Sequence, residues 1–224
     1  MEGKAYYVSL EKNPIISIKV IPGHFTTRNA HVSHYLDVSS LKSNALIARD
    51  VARELAIPYM SNILVDTIVC MENTKVIGAY LAEELLQQGV SVINSGSDIH
   101  VVTPMINIDG DLTFFDNELE WIKNKNILLL IATVSSGNTM RRALECIEYY
   151  GGRVADILAL FMSSSVNVNY PVHALFTSED IQGHKVFSAD ECDMCKAGES
   201  VDAIVSSEGY KKIRYDRGSE TDDV

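Results

Sequence analysis

Apolar residues recur along the chain in two rhythms, one of strands and one of helices. Ile15 to Ile21 alternates enough to predict a strand, which Pro22-Gly23 then turns. From Ser43 to Ala56, the residues Ile47, Ala48, Val51, Ala52 and Leu55 recur at three- and four-residue intervals and predict an amphipathic helix. Ile63 to Cys70 is rich in β-branched residues and predicts a buried strand. Thr74 to Gln88 then sets Ile77, Leu81 and Leu85 on one helical face, with Gly89 as the stop. Short strands are expected near Val90 to Asn94 and Ile99 to Thr103, and a turn at Asn107 to Asp111.

Asn126 to Thr133 is nearly continuously apolar, as a central parallel strand covered on both faces requires. Ser135 to Asn138 breaks it. Thr139 to Tyr150 follows as a helix with Met140, Ala143, Leu144 and Ile147 inward, closed by Gly151-Gly152, and Val154 to Met162 predicts another buried strand. Alternating strands and helices in this order predict an α/β fold: an open parallel sheet flanked by helices, joined by right-handed crossovers. Ligands of such sheets sit at the carboxyl ends of the strands. No internal repeat is seen.

Composition narrows the functional classes. The 224 residues are 46% hydrophobic and 22% charged, enough apolar material for a packed core. Net charge is −11 and no run of Lys or Arg occurs, which argues against nucleic-acid partners. An anionic ligand is still admissible if backbone amides and a few placed cations hold it. Met1 to Leu10 has no signal-peptide core, and the longest apolar run, Ile127 to Ala132, is too short to span a bilayer. The cysteines, Cys70, Cys146, Cys192 and Cys195, fit a reducing cytoplasm better than a disulfide framework.

The segment 126–152 carries the strongest chemical signal. A hydrophobic strand runs through Thr133-Val134 into Ser135-Ser136-Gly137-Asn138-Thr139 and then a helix. Free N–H groups, short hydroxyl donors and a positive dipole end suit a phosphate monoester there, although an ordinary capped helix has the same look. A second cluster, Glu72-Asn73-Thr74-Lys75, ends the preceding strand; Lys75 could help neutralise an anion, whereas Asn73 or Thr74 could simply cap the helix. Gly23-His24-Phe25 and His31 to Asp37, with Tyr35, read equally as a hairpin with core aromatics. Cys192-Asp193-Met194-Cys195 has the spacing of a metal knuckle but supplies only two of the four ligands of structural zinc. His184, near in sequence, or a symmetry-related chain could supply more.

The loop and its flanks resemble the signature of the type I phosphoribosyltransferases: apolar residues, two acids, two apolar residues, then a Thr/Ser-Thr/Ser-Gly-x-Thr loop. The resemblance covers about Pro22 to Val201 and is closest to the orotate branch, where Phe25 and Tyr35 would frame the base. The segment Cys192 to Gly198 is similar to a Cys-Pro-Leu-Cys-x-x-Gly tail in that branch. The resemblance implies a single domain over 1–205, with hood elements from about 1–40 and 170–205, and a polar tail over 206–224. It assigns residues 133–139 to the 5′-phosphate of phosphoribosyl pyrophosphate and residues 72–75 to the pyrophosphate loop.

It implies transfer of ribose 5-phosphate to orotate, with Mg²⁺ brought by phosphoribosyl pyrophosphate, small-molecule partners and a homodimer. Apolar residues around Tyr6, Tyr7 and Val8 give the dimer a candidate surface. Two features depart from the pattern. The acidic pair that holds the ribose hydroxyls falls on Ile131 and Ala132, leaving Thr133 and Glu72 as the candidate replacements, and no Lys or Arg occurs from Asn94 to Asn117, where the orotate branch carries a basic loop. The catalytic residues are therefore unassigned. A binding or regulatory protein that keeps the fold without the chemistry, or an enzyme using a purine, stays open.

Overall fold

The computed structural model describes residues 2–28, 30–87, 93–107, 111–163, 170–206 and 208–214. The elements in chain order are β1 (Tyr6–Leu10), β2 (Asn13–Thr26), β3 (His31–Asp37), α1 (Ser39–Ser43), α2 (Ala45–Ala56), β4 (Thr67–Cys70), α3 (Lys75–Leu85) and β5 (His100–Val102). They continue with β6 (Met105–Ile106), β7 (Leu112–Thr113), β8 (Asn126–Val134), α4 (Asn138–Tyr149), β9 (Arg153–Met162) and β10 (Val172–Thr177). The last are β11 (Val186–Phe187), α5 (Asp193–Lys196), β12 (Ala203–Ser206) and β13 (Gly209–Lys212).

The core is a parallel sheet in the order β10-β9-β8-β4-β5. β8 lies at its centre, and its alternating side chains explain the continuous apolar run. Leu128, Leu130 and Ala132 join one core with α2, α3 and the β2 residues Ile16, Ile18 and Val20. Ile127, Leu129 and Ile131 join the opposite core with α4 residues Met140, Ala143, Leu144 and Ile147. Both faces are therefore dry, the usual condition of a parallel sheet. The helical stripes pack as their spacing predicts: Ala48, Val51, Ala52 and Leu55 of α2, and Ile77, Leu81 and Leu85 of α3, are all buried. The Asn44 side chain starts α2 by accepting from the N–H groups of Leu46 and Ile47.

A second sheet, β11-β3-β2-β12-β13 with β1 also pairing with β2, forms a hood over the carboxyl ends of the parallel strands. Here the chain departs from the sequence expectation. Pro22-Gly23 does not turn the chain; it is a bulge inside β2, where pairing with β3 shifts register between Pro22 and Phe25. The reason is a close approach. A Cβ on Gly23 would lie 2.7 Å from Asp202 Oδ2, the carboxylate that accepts the His24 N–H at 2.8 Å.

The strand expected over 63–70 is shortened to β4. Of the strand expected at 90–94, only Ile93 and Asn94 are described, and they form a turn. Residues 88–92, including Gly89, and most of the turn expected at 107–111 lie outside the described residues. The segment expected to begin a polar tail instead carries β13, which pairs with β12, while residues 215–224 lie outside the described residues. No helix is long and apolar enough to cross a membrane among the described residues.

Candidate functional site

The carboxyl end of β8 opens into a cleft of about 220 Å³ between the parallel sheet and the hood. One wall is Ala132 through Met140. Gly137 stands at the N-cap of α4 with φ 77°, a left-handed conformation in which a Cβ would be strained. The first intrahelical bond runs from the Arg141 N–H to the Gly137 carbonyl at 2.9 Å, so the preceding N–H groups have no intrahelical partner. Ser136 and Thr139 are exposed, and Ser135 and Asn138 half-buried. This turn has what an anion needs: amides, hydroxyls and the positive end of a helix, facing open volume.

The floor is the exit of β4. Glu72 (φ 54°) and Asn73 (φ 63°) are consecutive left-handed residues without glycine, a conformation that costs roughly 1–3 kcal/mol at a residue such as Glu and is typical of functional loops. This turn points the Glu72 carboxylate across to β8, where it accepts the Thr133 N–H at 2.9 Å and faces the Thr133 hydroxyl at 3.4 Å. Burial raises the Glu72 pKa, opposed by the Thr133 bonds and by Lys42. The Lys42 Nζ donates to the Glu72 carbonyl at 3.0 Å; burial lowers its pKa, opposed by Glu72 and more distant carboxylates.

The hood supplies the third wall, with Arg28, His34, Tyr35, His184, Val205 and Gly209 among its lining residues. Burial and the neighbouring His34 push the His184 pKa down to about 4, and burial lowers that of His34. Both rings are neutral at pH 7. Tyr35 is pushed up to about 12, by burial first and then by Asp37 and Tyr210. The cations of the cleft thus come from Arg28 and Lys42, placed by the hood and α1, and not from the stretch between Asn94 and Asn117.

The fold separates several residues that the sequence groups together. Glu72 lines the cleft, but the rest of the proposed pyrophosphate loop does not. The Asn73 amide donates to Glu208 at 2.7 Å, the buried Thr74 hydroxyl donates to the Met71 and Leu130 carbonyls, and Lys75 is exposed on α3. Phe25 is corrected outright as a base-framing residue: it is wholly buried in the hood core with Ile21, Val32 and Tyr35. The bulge at Pro22-Gly23 resets the alternation of β2, so sequence parity alone could not show its side. Ile131 and Ala132 also part company, because neighbours on a strand face opposite ways. Ala132 borders the cleft and Ile131 lies in the α4 core. Cys192 and Cys195 do not line the cleft. They meet His24 and His31, whereas His184 stands beside His34 with ring centroids 6.0 Å apart.

No protein-family model matches the chain, and no curated protein does. Solved structures do. UMP synthase from Leishmania donovani superposes with a TM-score of 0.52 at 19% identity over 71% of this chain, which spans only 34% of that protein. A phosphoribosyltransferase from Corynebacterium diphtheriae gives a TM-score of 0.52 at 13% identity, covering 72% of this chain and 90% of the other. Orotate phosphoribosyltransferase from Mycobacterium tuberculosis, solved with Fe(III) dicitrate, gives 0.50 at 11% identity, covering 73% and 91%. The chain has the type I phosphoribosyltransferase fold, in a divergent form.

Proposed function

We propose that the cleft binds phosphoribosyl pyrophosphate and transfers its ribose 5-phosphate to a nitrogen of a pyrimidine base, orotate being the first candidate. The observation that carries this reading is the convergence, in one cleft, of the 135–139 anion turn and the Glu72 carboxylate, with Arg28 and Lys42 beside them. The 5′-phosphate would sit on the turn. The ribose hydroxyls would donate to Glu72, which takes the place left by the missing acids on β8. The base would lie against the hood wall at His34, Tyr35 and His184. Two of the structural neighbours bear the names orotate phosphoribosyltransferase and UMP synthase, which supports a pyrimidine substrate.

In the reaction the bond from ribose C1 to pyrophosphate breaks with its electron pair leaving on oxygen, a bond from C1 to the base nitrogen forms, and the proton of that nitrogen passes to the released pyrophosphate or to water. The chain contributes positioning and electrostatics: the turn would fix the phosphate, Glu72 the sugar, and the two cations would lower the energy of the negative charge that develops on the leaving group. Mg²⁺ would arrive with the pyrophosphate and neutralise part of its charge. Glu72 is the only carboxylate among the described residues that line the cleft, and its hard oxygen donors fit an outer role toward such an ion. The reaction belongs to the cytoplasm, where phosphoribosyl pyrophosphate is used.

The test is incubation of the full chain with phosphoribosyl pyrophosphate, Mg²⁺ and a panel of pyrimidine and purine bases. Pyrophosphate release that depends on orotate, with orotidine 5′-phosphate formed, is the expected result. Release with a purine alone would move the substrate class. A second reading has its own observation: β8 itself contributes no acid at its carboxyl end, since Ile131 is sealed in the opposite core and Ala132 has no polar group. On that reading the protein binds the ligand without turnover, and calorimetry would find binding while no base releases pyrophosphate.

A further inference from the structure

In the hood, outside the residues that line the cleft, four metal-ligating side chains from distant parts of the sequence converge. His24 lies in β2, His31 begins β3, Cys192 precedes α5 and Cys195 lies within it. Their ligating atoms all lie within 4.8 Å of one another. We propose that His24, His31, Cys192 and Cys195 form a tetrahedral structural zinc site that clips the C-terminal segment to the β2–β3 hairpin.

The distances fit the ion. Zinc with Zn–S of about 2.3 Å and Zn–N of about 2.0–2.1 Å sets S···N edges of about 3.5 Å and an N···N edge of about 3.3 Å. His24 Nε2 lies 3.6 Å from each of the two sulfurs, and Cys195 Sγ lies 3.3 Å from His31 Nδ1. The two imidazole nitrogens, 2.9 Å apart, need to separate by a few tenths of an ångström.

The protonation pattern points the same way. His24 Nδ1 lies 3.0 Å from the Glu199 carbonyl, which can only accept. Nδ1 is therefore the donor in that contact, and Nε2 is the nitrogen turned to both thiols and His31. A ligating histidine holds its tautomer through such a bond on its other nitrogen. Gly198, with φ 76°, turns the chain after α5 just before Glu199, where a side chain at Gly198 would be strained. The ligands are built into elements rather than scattered on a surface: His24 and Cys192 are buried, His31 half-buried and Cys195 exposed. The soft sulfur and imidazole donors, two of each as in structural zinc sites built from a cysteine pair and a histidine pair, select zinc over magnesium or calcium.

The site has a mechanical consequence. From the clip the chain passes to Asp202, whose N–H donates to the His24 carbonyl at 2.7 Å, and on into β12 and β13. Val205, Ser206 and Gly209 of that hairpin line the cleft. Zinc would therefore tether one wall of the cleft to the β2–β3 hairpin.

The full chain, expressed in zinc-supplemented medium and purified without chelator, should carry about one zinc per chain by elemental mass spectrometry. Cobalt exchange should give the absorption of tetrahedral cobalt with a thiolate charge-transfer band, and X-ray absorption at the zinc edge should show two sulfur and two nitrogen ligands. Cys195→Ser, at the exposed ligand, should lose at least tenfold of the bound zinc, while Cys146→Ser, a thiol in the α4 core, should keep it. Metal removal should raise amide exchange in residues 203–212. Less than about a tenth of an equivalent of zinc, with no tetrahedral cobalt spectrum, would overturn the site; so would zinc with only oxygen and nitrogen ligands, or full retention in Cys195→Ser. The wild-type spectroscopy stands even where a variant fails to fold.

Discussion

Replacing Glu72 by Gln separates ligand recognition from stability, because the two should move in opposite directions. The amide has the shape of the carboxylate, so its one remaining oxygen can keep the Thr133 N–H that Glu72 accepts at 2.9 Å. The amide NH₂ then faces the cleft, and it can only donate. A ribose hydroxyl that used the second carboxylate oxygen loses a charge-assisted acceptor. Such a bond is worth roughly 1.5–3 kcal/mol, which weakens phosphoribosyl pyrophosphate by roughly 10- to 150-fold. Inorganic phosphate, held by the 135–139 turn alone, should bind within about a factor of two of wild type.

Stability should not fall with it. Burial raises the Glu72 pKa in the folded chain. A carboxyl with a raised folded pKa favours the fold while protonated, and that contribution is lost as pH rises through the folded pKa. Above the folded pKa the ionised, desolvated group therefore costs stability, and there the Glu72→Gln variant should melt at the same temperature as wild type or higher. Isothermal calorimetry with both ligands and a thermal melt decide the matter. Wild-type affinity for phosphoribosyl pyrophosphate in Glu72→Gln would refute the assignment of Glu72 to the ribose, and equal losses for both ligands would place Glu72 in the architecture of the turn instead.

Restoring acids to β8 should split by face. Ile131→Glu buries an unpaired carboxylate in the α4 core and should unfold the chain or lower Tm by more than about 8 °C, from a cost of several kcal/mol; Ala132→Asp, at a buried position that also borders the cleft, should lower Tm less than Ile131→Glu and raise affinity for the ribose hydroxyls, and both are read by melting and calorimetry. Phe25→Ala should cost about 3–5 kcal/mol in urea denaturation, as a large wholly buried side chain does, with less effect on base affinity than Tyr35→Ala. His184, with a folded pKa of about 4 against the ordinary 6.5, binds its proton more readily when unfolded. Its contribution is complete above pH 6.5 and drains away as pH falls toward 4; His184→Gln should flatten that part of a melting-temperature profile, and an unchanged slope would show that other groups set it. Sedimentation at micromolar concentration should show a homodimer, with Tyr7, exposed on β1, a candidate contact; monomer alone would count against it.

The parallel core and the place of the anion turn are legible from the amino-acid order because both are local properties. A buried parallel strand must be apolar without interruption, a helix must repeat every three to four residues, and β8, α3, α4 and β9 show those periods close to their observed ends. The turn at 135–139 reads equally well, since strand, glycine and helix start adjoin in the chain.

Wherever one element meets another, folding in three dimensions set the outcome. The bulge at Pro22-Gly23 exists because Asp202, far along the chain, comes within reach of His24; with it, Phe25 went into the core and His24 toward Cys192. Glu72 became a cleft residue because two left-handed residues turn β4 toward β8, which no composition rule announces. Arg28 and Lys42 belong to the cleft only once the hood folds over the sheet. The proposed zinc ligands stand 168 and 171 positions apart between His24 and the two cysteines. Periodicity encodes which residues face a core, but the pairing of surfaces remote in sequence is set by the packing of whole elements, and the chemistry of this chain lies at those meetings.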